Sequence, residues 1–539
     1  ARRLIRRPGG FGLLATNTIA QGDTREVGLG AMVASGIVLT RAVQSRKWPG
    51  TANLEVSHIW GHAGAWRDGF VLDDEAREAL FDRKFYINVH SADHRGGEIR
   101  GQLLPAADQF YSAHLFGSNQ SVSVMSNASG MVLLERKADT IVVSGSFQVS
   151  SPLATNIAGG IHIHSGLAGT NGGIVQGLNV ALSDDSLSAE ILPDENTFVL
   201  AAEDLTLLEQ EGWYINVHTR NWPGGELRGQ LTPLATAKMR VNFSGANQTP
   251  PVTTFAGGKL ALALRDGSLT VSGSFSGLDS DINTDIAGGA HIHLGMAGRN
   301  GALLYPLSLT LGDDNRSATL DPGTNTFAVS GDTLMALLGR ALYVNVHTIN
   351  HPGGAIRGQI LPESNYFLQA YLSGSQQPNP VLSNADGAVI MEVLGDSLTV
   401  SGTFANLSSD LAINIAMGAH VHFAPVGSNG GLAYPLTPTP DGDAMNGRWR
   451  AADNRFSGNF TRRDSLRARL GYINVHTANN NGGEIRGQLM HEARAYFYTP
   501  LSGSEQTPAV VSDGTGAAMM EYNGNAAIFL GSFRNLGSA

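Results

Sequence analysis

The chain has 539 residues, no cysteine, a net charge of −10 and only 15% charged side chains. Disulfide staples, thiolate metal sites and cysteine nucleophiles are therefore excluded, and an acidic balance without a basic stripe argues against nucleic-acid binding. No apolar run approaches the roughly 20 residues that span a bilayer, while 67 glycines suit a β protein rich in tight turns.

The first segment, residues 1–105, opens on Ala1 rather than Met, as after removal of a signal peptide. Its basic start, Arg2-Arg3 and Arg6-Arg7, reads as a solvated end. It closes on the phrase Tyr86-Ile87-Asn88-Val89-His90, which returns as Tyr214-Ile215-Asn216-Val217-His218, Tyr343-Val344-Asn345-Val346-His347 and Tyr472-Ile473-Asn474-Val475-His476. The intervals are 218−90=128, 347−218=129 and 476−347=129. A fixed period marks an array, and one this long matches a complete small domain rather than a solenoid unit.

Three complete repeats are expected, at 107–233, 236–362 and 365–490. Each opens on a Gly-x-x-Gln turn: Gly117 to Gln120, Gly245 to Gln248, Gly374 to Gln377. Alternating strands follow, such as Leu260 to Leu264 and Leu269 to Phe275, whose period of two predicts half-buried β structure. A His-x-His strand, an Asn-Gly loop and two more apolar strands come next. A short helix then precedes the Tyr-x-Asn-Val-His strand; 332–338 is the clearest, with Asp332 as its expected N-cap. Each repeat closes on a strand such as Gly225 to Leu231. The predicted fold is all-β: a tandem array of antiparallel sandwich or barrel domains, each with one short helix.

The two ends depart from the pattern. His58 to His90 spans 90−58=32 residues, against 218−162=56 in a complete repeat, so the first unit, a degenerate repeat, is 56−32=24 residues short. Residues 495–539 begin a further repeat at Gly503 to Gln506 and stop at Gly531-Ser532-Phe533-Arg534-Asn535-Leu536. Half a domain exposes a sheet edge. Two expectations follow: a piece of a longer array, or strand donation by 495–539 to the shortened first unit of a neighbouring copy, giving a head-to-tail homopolymer.

The chemistry concentrates in histidines. Each complete repeat has three in one arrangement: His162, His164 and His218; His291, His293 and His347; His420, His422 and His476. Residues i and i+2 of a strand share a face, so each His-x-His pair projects two imidazoles together. Three imidazoles with an open position suit copper first, then zinc. The asparagine of Asn-Val-His (Asn216, Asn345, Asn474) faces the same way and is placed to bind the other ring nitrogen of its histidine. The first unit has Trp60 where a second histidine belongs after His58, so it is expected to lack the site unless His62 or His94 substitutes. Arg100, Arg228, Arg357 and Arg486 each lie ten residues after the last histidine, either guiding an anion to the metal or forking onto loop carbonyls. Glu98, Glu226 and Glu484 become Ala355 in one repeat, so that carboxylate is not part of a shared chemistry. The loops 169–173, 298–301 and 427–431 read as Asn-Gly turns with little carboxylate for calcium, and Asp184-Asp185 and Asp313-Asp314 as solvated turns.

Ala158-Gly-Gly-Ile-His-Ile-His164, Tyr214-Ile-Asn-Val-His-Thr219 and Pro223-Gly-Gly-Glu-Leu-Arg-Gly-Gln-Leu231 together resemble the CHRD domain, named from chordin, a secreted antagonist of bone morphogenetic proteins. The resemblance covers nearly the whole chain. It implies an immunoglobulin-like or superoxide-dismutase-like barrel and an extracellular or cell-surface, microbial setting. By that likeness the three histidines of each complete repeat resemble dismutase copper ligands, and Arg228, Arg357 and Arg486 its anion-guiding arginine; the bridging histidine, zinc cluster and disulfide have no match. The expected function is an extracellular structural protein forming a filament, sheath or matrix, with no membrane span and no catalytic role. A copper redox enzyme of dismutase type and a secreted ligand-binding protein of chordin type are the alternatives.

Overall fold

The computed structural model describes residues 9–16, 31–34, 37–47, 55–63, 72–92, 94, 96–457, 462–524 and 526–537. Two units are distinguished, Ala1–Leu104 and Pro105–Ala539. Among the described residues no helix is long and apolar enough to cross a membrane.

In the first unit, strand Glu55–Ala63 lies between Gly9–Thr16 and Ile37–Lys47, antiparallel to both. Helix Asp74–Phe81 is capped by Asp73, whose carboxylate accepts from the Ala76 amide. Among the described residues, strand Tyr86–Val89 pairs with Ile99–Gln102 alone. The corresponding strand of a complete repeat pairs on both sides, one of its neighbours being the His-x-His strand. Ile87 is accordingly 59% exposed and Ile99 65%, where Ile215 and Leu227 at the matching positions are fully buried.

The second unit carries the array, and residues 237–362 illustrate one repeat. A three-strand meander, Ala237–Ser244, Gly257–Arg265 and Ser268–Ser276, supplies one wall. The sheet runs on through Ile356–Gln359, Leu342–Val346, Ala290–Leu294 and Leu303–Pro306 on one side and through Ala318–Leu320 and Thr310–Leu311 on the other. It curls around one core in which Val241, Leu262, Phe275, Ile292, Leu337 and Val344 meet. At Gly273 (φ +141) a Cβ would lie 2.3 Å from the Lys259 carbonyl oxygen, so the close, bent approach of the two meander strands requires glycine there. The all-β architecture read from the alternation is the one observed. The expected cap is corrected: helix Gly331–Leu338 is capped by Ser330, whose hydroxyl accepts from the Thr333 amide. Asp332 sits one turn-position inside, where its charge still favours the helix dipole.

Residues 495–534 form only the meander: Ala495–Ser502, Thr515–Asn523 and Ala526–Arg534. Phe529 is 74% exposed and Phe533 69%, whereas Val400 and Phe404, one period earlier, are fully buried. The inner face of this half-repeat is thus uncovered among the described residues.

Successive repeats dock in one way. Ser274 Oγ donates to Ala168 O at 2.8 Å, Thr403 Oγ1 to Ala297 O at 2.7 Å and Ser532 Oγ to Val426 O at 2.6 Å. Arg340 meets both oxygens of Glu392 (2.9 and 3.0 Å), and one period later Arg469 meets one oxygen of Glu521 through Nε and Nη2 (both 2.8 Å). Alternate repeats also touch: Asn365 Nδ2 donates to Ala128 O at 2.9 Å, and Arg494 Nη1 to Phe255 O at 2.5 Å.

Candidate metal centres

Alternation along two neighbouring strands builds each site. Ile161 and Ile163 point into the core, so His162 and His164 face outward; Ile215 and Val217 do the same for Tyr214, Asn216 and His218. Register places His162 opposite Asn216 and His164 opposite Tyr214. The same pairing holds for His291 with Asn345 and for His420 with Asn474. Ring centroids of His162 and His218 are 4.6 Å apart, and those of His162 and His164 also 4.6 Å. In all three repeats one nitrogen from each of the three histidines lies within 4.8 Å of the others. A tetrahedral ion with bonds near 2.0–2.1 Å would hold them about 3.4 Å apart.

In each site the second and third histidines have Nδ1 tied to a backbone carbonyl, as metal ligands usually are, whereas Nδ1 of His162 and His291 is buried without a partner. His164 Nδ1 donates to Gly172 O at 2.9 Å and His218 Nδ1 to Pro223 O at 2.7 Å. The partners in the later repeats are Gly301 and Pro352, then Gly430 and Asn481. Nε2 of His164, His293 and His422 is buried without a hydrogen-bond partner. The donor set therefore fits an imidazole-preferring ion. The expectation for the asparagine is corrected: it meets its histidine at Nε2, at 3.1–3.2 Å, because Nδ1 is already taken by the carbonyl.

Of the two roles expected for the arginines, the geometry is that of the structural fork. Arg228 is buried, stacks 3.4 Å from the Tyr214 ring, and donates to Thr170 O (2.7 Å), Leu167 O (3.0 Å) and Asn171 Oδ1 (3.2 Å). Tyr214 in turn stacks on His164 at 5.0 Å and 5°. Arg357 repeats both the stacking, on Tyr343, and the fork, onto Met296 O, Arg299 O and Asn300 Oδ1; Arg486 repeats the stacking, on Tyr472, and bonds Asn429 Oδ1 at 3.3 Å, its Nη2 buried without a partner. The hydrogen bonds of these guanidinium groups go to the loop, while their charge still acts across the tyrosine on His164, His293 and His422 and, after burial, helps to lower the pKa of each. Glu226 is also structural: buried, it accepts from Ser126 Oγ, the Ser150 amide and Thr219 Oγ1.

Three residues escaped the sequence reading. Gln120, Gln248 and Gln377 end the Gly-x-x-Gln turns, yet their side chains reach the sites, donating to Oδ1 of Asn216, Asn345 and Asn474 at 2.6–2.7 Å. Their fixed place after the repeated glycine was the signal available.

In the first unit the side chains of His58 and Trp60 lie outside the described residues. His94 is 3.4 Å from Ser91 Oγ. Among the described residues, the grouped histidines are those of the three complete repeats.

Burial, then the neighbouring imidazoles, pushes His162, His291 and His420 down to about 4. They stay neutral in the fold, whereas the unfolded chain takes up protons below about 6.5. Stability of the metal-free protein therefore rises with pH across this window and is lost as pH falls from 6.5 towards 4. The expected result is a melting temperature that drops between pH 7 and pH 4.5, less so when these three are replaced by glutamine; an equal drop would contradict it.

The CHRD domain family model matches residues 29–103, 111–231, 239–360 and 368–489. Chordin of Xenopus laevis is 28% identical over 180 residues, which cover 30% of this chain and 18% of that protein.

Proposed function

The chain belongs to the CHRD domain family, and from that premise we propose that it is an extracellular structural protein: a stiff array whose three complete repeats each bind one transition-metal ion, copper before zinc, on three histidines. The observation that carries this is the double duty of one loop. Loop 166–173 closes on the site through Gly172 O, which accepts from His164, and docks on the next repeat through Ala168 O, which accepts from Ser274. An ion on His164 would hold that loop and so the junction, and the same link recurs in the next two repeats.

Metal here is structural rather than catalytic in this reading. An arginine turned onto the loop leaves a dismutase-like anion guide without support, and the bridging histidine of that chemistry has no counterpart.

The junction supports a filament, because a head-to-tail contact that does not close propagates. Chains would join as repeats do, with the apolar face of 495–534 (Phe529, Phe533) covered by the half-core of 72–104 (Ile87, Ile99) from a second copy. Electron microscopy of the purified chain with added copper tests it. Filaments that the double substitution Phe529→Asp, Phe533→Asp disperses are expected. Single particles for both proteins would refute self-assembly, as would a longer chain whose own further sequence covers 495–534.

A further inference from the structure

The three histidines of a site are not equal donors. His218 Nδ1 donates to Pro223 O at 2.7 Å, so its Nε2 carries the lone pair, and Asn216 Nδ2 already donates to that lone pair at 3.1 Å. Nε2 of His164 has no such partner. The amide is held in place from three sides. Its Oδ1 accepts from Gln120 Nε2 at 2.7 Å, and its Nδ2 faces Gly224 O at 3.4 Å. Behind it, Gly225 (φ +123) leaves no room, since a Cβ there would lie 2.4 Å from Asn216 Oδ1 and 2.5 Å from Gln120 Nε2.

The lock is copied in the other sites. Gln248 and Gly354 fix Asn345 on His347, and Gln377 and Gly483 fix Asn474 on His476, with amide-to-imidazole distances of 3.2 Å in both. In the first unit Asn88 keeps the carbonyl contact, to Gly96 at 3.2 Å.

We propose that this Gln–Asn pair is a built-in competitor for the metal at the third histidine, and that Asn216, Asn345 and Asn474 set affinity. The inference rests on the metal reading above. An ion can use all three imidazoles only by displacing the amide hydrogen from His218 Nε2. The net gain on binding is smaller by one hydrogen bond, and metal is held reversibly rather than trapped.

The test uses the full chain and Zn2+, by calorimetry against a competing chelator. The variants are Asn216→Ala with Asn345→Ala and Asn474→Ala, and separately Gln120→Ala with Gln248→Ala and Gln377→Ala. Three ions per chain are expected for every protein, with Kd about fivefold tighter in the asparagine variant and tighter by a smaller factor in the glutamine variant, where the amide remains but is loosened. A merely structural role would lower the melting temperature and leave Kd unmoved. Unchanged or weaker affinity overturns the inference while the metal reading stands. No zinc on the unmodified chain overturns both. If the asparagine variant does not fold, the direction of the glutamine variant decides.

Discussion

Alanine at His164, His293 and His422 together is expected to weaken zinc or copper binding by about 100-fold or more and to abolish the metal-dependent rise in melting temperature. Each change removes the donor whose Nε2 is buried and unpartnered. What remains is one open imidazole and a third already bonded by asparagine. Two imidazoles are a poor site for a divalent ion that seeks four ligands. The fold should survive, because these rings face outward from the core and their main apolar contact is the tyrosine beside them. An ion at 100 times its Kd stabilises a native site by about 2.7 kcal/mol, and that increment is what disappears. A variant that still melts higher with metal, as the unmodified chain does, would refute the assignment of ligands.

Replacing Glu492 with alanine is expected to destabilise the second unit by about 3–5 kcal/mol, the range for stranding a buried charge. Glu492 lies between repeats, with Arg240 bonded to both its oxygens at 2.8 and 3.0 Å and both side chains buried. Its carboxyl is held below the usual range chiefly by Arg240 and Lys259, against the opposing effect of burial. Lys259 is buried as well and donates to Ser118 O and Ser123 Oγ, both at 2.7 Å. Without the carboxylate two buried cations are left to repel each other. Lysine can shed its proton there, since burial already pushes it well down, but arginine cannot. Arg240→Met with Glu492→Leu should recover most of the loss, because the pair would then be replaced by apolar volume. Urea midpoints of the three proteins decide it: equal midpoints for Glu492→Ala and the unmodified chain would show that the contact does not hold the array together.

Much of this was legible in the chain because alternation and period are local signals. His162 and His164 had to share a face, and four copies of Tyr-x-Asn-Val-His had to be four strands. The core followed from the same pattern, with Leu260, Leu262 and Val271 inward. What escaped depends on contacts between segments far apart. Gln120 reaches Asn216 across 96 positions, and no spacing rule joins a turn to a strand at that range. Asn216 was placed on the right face but at the wrong nitrogen, because the Pro223 carbonyl that fixes the tautomer comes from a loop whose path is not encoded in periodicity. Arg228 carried two readings until its fork was seen on Leu167 and Thr170. The cap of the 331–338 helix moved from Asp332 to Ser330 because either residue satisfies the same local rule.

The most direct test of the central claim is anomalous scattering from crystals of the full chain loaded with zinc or copper. The account predicts one peak in each complete repeat, about 2.0–2.1 Å from one ring nitrogen of each of its three histidines, Nε2 in the second and third of each set. Peaks elsewhere on a metal-loaded chain, with His218, His347 and His476 keeping their asparagine bonds, would contradict it.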